Sequence, residues 1–185
     1  MDQPALPQRF LDVAAEHGGR KPPPVHLWNP AFCGDIDMRI ATDGRWYYMG
    51  TPINRQPLVK LFASILRNDG DRHVLVTPVE RVGITVEDAP FLAVEMEAVA
   101  HPAGETLAFR TNLDEIVLLD QADGLRFAFD SAGGLKPYLR VRGDLWARLT
   151  RALAYDLAAR FEDVDGTVFL AAAGLRFRVP EPRQE

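Results

Sequence analysis

Asp35-Ile36-Asp37-Met38-Arg39-Ile40, then Ala41-Thr42-Asp43-Gly44, then Arg45-Trp46-Tyr47-Tyr48-Met49, is the stretch whose reading decides the fold. Ile36, Met38 and Ile40 alternate with Asp35, Asp37 and Arg39. A period of two puts apolar side chains on one face of a strand and charged ones on the other. Asp-Gly between two such runs is the strongest short-range hairpin signal, because glycine supplies the positive φ of a tight turn. With Asp43 and Gly44 as a two-residue turn, Thr42 faces Arg45, Ile40 faces Tyr47, Arg39 faces Tyr48 and Met38 faces Met49. One face then carries Ile36, Met38, Ile40, Tyr47 and Met49 and is expected in the core. The other carries Asp35, Asp37, Arg39, Trp46 and Tyr48 and is the candidate binding face.

Working outward, Leu6, Phe10, Val13, Ala14 and His17 predict a short helix that stops at Gly18-Gly19. Pro22-Pro23-Pro24 makes a stiff extended connector. After the hairpin, Leu58, Leu61, Phe62, Ile65 and Leu66 predict an amphipathic helix ended by Asn68-Asp69-Gly70. Strands are expected at Val74 to Thr77 and Val82 to Val86. A second half opens with an alternating strand sharing Leu92, Val94, Met96 and Ala98 on one face. Further strands are expected at Leu107 to Arg110, Ile116 to Leu119, Leu125 to Phe129 and Tyr138 to Val141. Leu145, Leu149, Ala152, Leu153, Leu157 and Phe161 predict a longer helix capped by Asp144, and a hairpin from Thr167 to Val179 closes the chain.

The expected organisation is a helix and connector over residues 1–24, a first half over 25–89 and a second over 90–180. The fold class is α+β: two similar strand-rich halves, each with one amphipathic helix packed on an antiparallel sheet. Arg55, Leu58, Phe62 and Leu66 align without gaps on Arg142, Leu145, Leu149 and Leu153, which reads as a duplicated strand, helix and strand unit.

Composition bounds the function. The chain has 185 residues, 47% apolar and 25% charged, and its 21 basic and 26 acidic side chains leave a net charge of −5. Three lysines, Lys21, Lys60 and Lys136, leave the positive charge to arginine, and the acidic balance argues against a general nucleic-acid binder. One cysteine, Cys33, cannot form an internal disulfide. No apolar run approaches membrane-spanning length, and Met1-Asp2-Gln3-Pro4 lacks the basic start of a secretory leader, so a cytoplasmic protein without membrane contact is expected.

The strings Cys33-Gly34-Asp35-Ile36-Asp37-Met38-Arg39-Ile40, Gly50-Thr51-Pro52-Ile53, Leu75-Val76-Thr77-Pro78-Val79-Glu80-Arg81-Val82 and Val86-Glu87-Asp88-Ala89-Pro90-Phe91 resemble one bacterial family, the domain of unknown function 1285. Trp28-Asn29-Pro30, Phe109-Arg110-Thr111-Asn112 and Tyr138-Leu139-Arg140-Val141-Arg142-Gly143 fit the same pattern, so the resemblance runs from about Pro22 to Arg160. It implies a duplicated α+β protein, a second half of pleckstrin-homology-like kind, a ligand site where the halves meet and a part in signal transduction.

No reaction motif accompanies this. Cys33 follows His26 by seven positions, the minimum for an activated thiol, but nothing in the spacing brings them together. Asp35 and Asp37 could ligate a hard cation, yet Arg39 on the same face favours an ion-paired strand. The histidines are too scattered for zinc, and no glycine pair has a phosphate-loop context, so neither cofactor nor metal is expected. Thr51, Asn54 and Arg55 sit at an expected helix start, where backbone N–H groups favour anions or simply cap.

The leading reading is a non-enzymatic binding or signalling module. Asp35, Asp37, Arg39, Trp46, Tyr48, Thr51 and Arg55 would contact a small molecule or peptide in the cleft between halves. The alternative is a small hydrolase or transferase using Cys33 or a carboxylate such as Asp37, and a third is a protein scaffold that offers an edge strand.

Overall fold

The computed structural model describes residues 22–181, and the helix expected around Leu6 to His17 lies outside them. The chain divides between Asp88 and Ala89 into two compact units. In the first, the proline connector leads through a 3-10 turn at Val25–Leu27 into β1 (Phe32–Ile40), β2 (Trp46–Tyr48) and β3 (Thr51–Pro52). Helix α1 (Gln56–Ser64) follows, then β4 (Leu66–Asn68), β5 (His73–Val76) and β6 (Arg81–Val86). The sheet order is β3-β2-β1-β6-β5-β4. Two antiparallel meanders are therefore joined by a parallel pairing of β1 with β6, and the sheet is mixed rather than antiparallel throughout.

The hairpin forms with a different loop. Ala41 N donates to Arg45 O and Gly44 N to Ala41 O, each at 2.9 Å, so Thr42-Asp43-Gly44 is a three-residue connection. Gly44 takes a φ of 80°, the left-handed position such a loop requires. Ile40 consequently pairs with Trp46, Arg39 with Tyr47 and Met38 with Tyr48. A slip of one residue exchanges the faces of β2. Trp46 joins Met38 and Ile40 in the core at 1% exposure, and its ring stacks on Phe62 with centroids 6.2 Å apart.

Helix α1 ends at Ser64, a turn earlier than the leucine spacing predicts, and buries Val59, Phe62 and Ala63. Leu66 is buried too, but as the first residue of β4.

The second unit repeats the sheet plan. β7 (Phe91–His101), β8 (Gly104–Thr111), β9 (Ile116–Leu118), β10 (Leu125–Phe129), β11 (Leu135–Arg142) and β12 (Leu145–Leu149) take the order β10-β11-β12-β7-β8-β9. The first and last strands are again parallel partners. A register shift between Ala93 and Glu95 resets the parity of β7. Ala93 opposite Thr111, Met96 opposite Phe109 and Ala98 opposite Leu107 therefore share the inner face, and the expected grouping of Leu92 and Val94 with Met96 is broken.

The expected long helix is two elements. Leu145, Ala147 and Leu149 are buried and alternate with half-buried Trp146 and Arg148, a strand pattern. Helix α2 (Arg151–Ala158) begins after Thr150, whose hydroxyl accepts from Leu153 N at 3.4 Å. Asp144 is not its cap and instead accepts from Trp146 Nε1 at 2.8 Å. The gap-free alignment of Arg55, Leu58, Phe62 and Leu66 on Arg142, Leu145, Leu149 and Leu153 thus sets a helix against a strand. What recurs is the sheet topology, with the helix after the third strand in one unit and after the sixth in the other. A three-stranded sheet of β13 (Phe161–Val164), β14 (Thr167–Ala172) and β15 (Leu175–Arg178) completes the chain.

Candidate functional site

The outer face of the first unit's sheet is the side of β1 away from Met38 and Ile40. Asp35, Asp37 and Arg39 follow one another along it at every second position. Their neighbours come from β6, where Gly83 lies beside Asp35 and Thr85 beside Arg39, and from β2, where the corrected register supplies Tyr47. The Arg39 guanidinium lies 4.3 Å over the Tyr47 ring, a cation–π contact. Its Nη1 also donates to Glu87 Oε1. Glu87 accepts a second bond from Thr42 N at 2.9 Å. That backbone bond, with the Arg39 bond after it, holds the Glu87 carboxyl below its ordinary pKa. Arg39 is therefore oriented from two sides.

Asp35 is placed by the absence of a side chain. A Cβ on Gly83 would lie 1.9 Å from Asp35 Oδ1, so the carboxylate rests over the glycine. Arg72 approaches the same oxygen at 3.8 Å and lies 4.7 Å over Phe32. Asp37 is exposed and, among the described residues, its carboxylate makes no hydrogen bond or ion pair.

Next to this face is a half-buried arginine clamp. Arg67 Nε donates to Asp69 Oδ1 at 2.6 Å and its Nη1 donates to Val25 O at 2.7 Å and Trp28 O at 2.6 Å. Arg81 Nη1 reaches Asp69 Oδ2 at 2.8 Å. The Arg67 hydrogen bond is the largest cause of an Asp69 pKa below the usual carboxylate value, against the opposing effect of burial. The clamp ties the turn after the prolines to β4 and β6.

Of the seven residues singled out in the sequence, Asp35, Asp37 and Arg39 lie along one strand, β1, whose register against β6 shifts between Asp35 and Arg39. Trp46 and Tyr48 belong to the opposite face, since Trp46 pairs with buried Ile40 and Tyr48 with buried Met38. Thr51 pairs with Tyr48 and so shares that face. Arg55 precedes α1, where its carbonyl accepts from Leu58 N and Val59 N while its side chain forms no cap. Tyr47, Gly83 and Arg72 were missed. Only the length of the turn could have exposed Tyr47, and β1–β6 pairing leaves no local trace in the sequence.

Cys33 is exposed, and its thiol donates to Ala31 O at 3.5 Å with no imidazole or carboxylate in reach among the described residues. No group of three or more His, Cys, Asp or Glu side chains suited to a metal occurs among the described residues. None of the described helices is long and apolar enough to cross a membrane. Among the described residues, the second unit carries hollows at two places of note. One of about 490 Å³ is lined in part by Glu105, Thr106, Arg160 and Gly174, and one of about 520 Å³ lies beside β10.

Residues 23–89 match a family model described as "Domain of unknown function (DUF1285), N-terminal domain". Residues 90–179 match "Protein of unknown function (DUF1285), C-terminal domain". Among solved structures, a DUF1285 family protein from Silicibacter pomeroyi DSS-3 is 45% identical. That match covers 92% of this chain and 93% of that one, with a TM-score of 0.83. A DUF1285 family protein from Shewanella baltica OS155 is 32% identical over 69% of this chain and 94% of that one, with a TM-score of 0.54. No curated protein matches the chain.

Proposed function

This chain belongs to the DUF1285 family, and from that premise we propose that it is a ligand-binding module of signalling type rather than an enzyme, with the outer face of the first unit's sheet as its contact surface. One observation carries the reading: Asp35, Asp37 and Arg39 stand in line on one strand, with Arg39 oriented by Tyr47 and Glu87 and the Asp37 carboxylate left open to solvent. An arginine already oriented by Tyr47 and Glu87, beside an Asp37 carboxylate that has no partner among the described residues, suits a ligand that carries both a donor or cationic group and an acceptor, such as an amino acid or a short peptide. Donors of the ligand would meet Asp37 and Asp35, and its acceptor would meet the free edge of the Arg39 guanidinium.

The run of six strands followed by a helix in the second unit supports likening it to pleckstrin-homology-like folds. The hydrolase alternative needs a base beside Cys33 or an activated carboxylate, and the Cys33 thiol has only the Ala31 carbonyl.

The test is a thermal-shift panel of amino acids, short peptides and nucleotides on the parent and Asp37→Asn. The variant should melt with the parent. A ligand at about 100 times its Kd contributes about 2.7 kcal/mol, a rise of several degrees in Tm for the parent that the variant should lack. An equal rise in both proteins, or no rise with any compound, refutes this surface.

A further inference from the structure

We propose that the free edge of β10 is a docking site for an extended acidic polypeptide, which adds to the second unit's sheet as a further strand and sets its carboxylates against Arg126 and Arg178. β10 ends the strand order, and among the described residues its only strand partner is β11. The direction of its free backbone groups follows from one bond. Arg140 N donates to Gly124 O at 2.8 Å, so with Leu125 opposite Leu139 the hydrogen-bonded pairs alternate through Arg126–Tyr138 and Ala128–Lys136. The N–H and C=O groups of Leu125, Phe127 and Phe129 therefore point away from β11. Pro137, which has no N–H, sits opposite Phe127, where β10 asks for none.

That edge opens on the hollow of about 520 Å³ lined by Leu125, Arg126, Phe127, Arg178, Pro180 and Glu181. Leu125 and Phe127 make an apolar wall, and the two arginines flank it. Neither Arg126 nor Arg178 forms an ion pair among the described residues. Arg126 is nevertheless held, with its guanidinium 4.1 Å over the Trp146 ring and 5.1 Å over Tyr138. Lys136, Arg140 and Arg148 extend the same face across β11 and β12; Asp123 pairs with Arg140, and Lys136 and Arg148 make interactions of their own. A chain of net charge −5 thus concentrates basic side chains along one strip, and among the described residues Glu181 is the single carboxylate on the lining of the hollow.

Charge complementarity selects an acidic partner, and the outward backbone selects a strand, since strand addition draws its affinity from main-chain bonds and its specificity from alternate side chains. A single-stranded nucleic acid would need exposed ring faces for base stacking. Here Arg126 covers Trp146, and Tyr138 is buried.

The probe is a fluorescein-labelled octapeptide of alternating Glu and Val, titrated with the full chain and followed by anisotropy. Saturable binding is expected, with an alternating Lys-Val peptide giving none. N-methylation of alternate Glu-Val amides should weaken binding by about tenfold or more, and Arg126→Ala and Arg178→Ala should each weaken it by about threefold to tenfold. The N-methyl comparison uses the unaltered protein and stands even if a variant folds poorly. Absence of saturable binding, equal affinity for the N-methylated peptide, or displacement of the peptide by an oligothymidylate through the same two arginines would each overturn the proposal.

Discussion

Removing the Asp69 carboxylate is the sharpest perturbation of the first unit. The Arg67 and Asp69 side chains are each 18% exposed and that of Arg81 is 26% exposed, so the pairs are sheltered but not fully desolvated. The two arginines fare differently in Asp69→Ala. Arg67 keeps its bonds to the Val25 and Trp28 carbonyls. Arg81 loses its Asp69 acceptor, and its buried Nε already lacks one, so the uncompensated charge falls there. Breaking a fully buried pair costs about 3–5 kcal/mol, and the residual exposure lowers the expected loss to about 2–3 kcal/mol. Asp69→Asn, which keeps a carbonyl acceptor, should lose about 1–2 kcal/mol.

The pH dependence gives the same reasoning a second reading. The folded state holds the Asp69 pKa below its ordinary 3.8, so the unfolded chain takes up the proton first. The contribution is complete above that value and disappears as pH falls through the lower folded value. Urea unfolding of parent and Asp69→Asn at pH 7, 5, 4 and 3 should show a constant gap at the upper two and a closing gap below. A gap under about 0.5 kcal/mol at pH 7, or one that widens in acid, would show that the clamp does not hold the unit together.

Two further outcomes follow from the corrected elements. Thr150→Ala should destabilise by about 1 kcal/mol in urea melts through loss of the cap on α2, while Asp144→Ala should leave that helix unaffected; the reverse would restore the helix boundary read from the sequence. Phe62→Ala should cost about 3–5 kcal/mol, since its ring is fully buried and stacked on Trp46.

Most strands were legible because their alternation is local: Leu125 to Phe129 and Arg81 to Val86 read off the sequence within a residue of their true bounds. The failures have physical causes. Asp43-Gly44 signals a turn but not whether Thr42 belongs to it, and that one residue moves Trp46 from the face expected to bind to the core. Leu145, Leu149, Leu153 and Leu157 fit a helical stripe across a strand and a helix alike, because spacings of four are even and satisfy both periods. The bulge in β7 reverses parity with no signature in residue type. On the outer face, the charged run in β1 was visible, whereas Gly83 arrives beside Asp35 through the long-range β1–β6 pairing, and Arg72 from the turn before β5, and local pattern encodes neither.

The parallel pairing of first and last strands governs how each unit can fold. The meanders β1–β3 and β4–β6 close through short turns, but Phe32 finds Arg81 only across a loop of about 50 residues, and Phe91 finds Ala147 across one somewhat longer. Closing such a loop carries an entropic penalty that local contacts cannot offset beforehand, so this pairing is the slow, high-contact-order step. On the ribosome, β1 emerges with one edge satisfied by β2 and the other bare until β6 has been synthesised. For that interval its Phe32–Ile40 edge is an open template for any passing strand, and the charged residues Asp35, Asp37 and Arg39 are the built-in deterrent to misassembly.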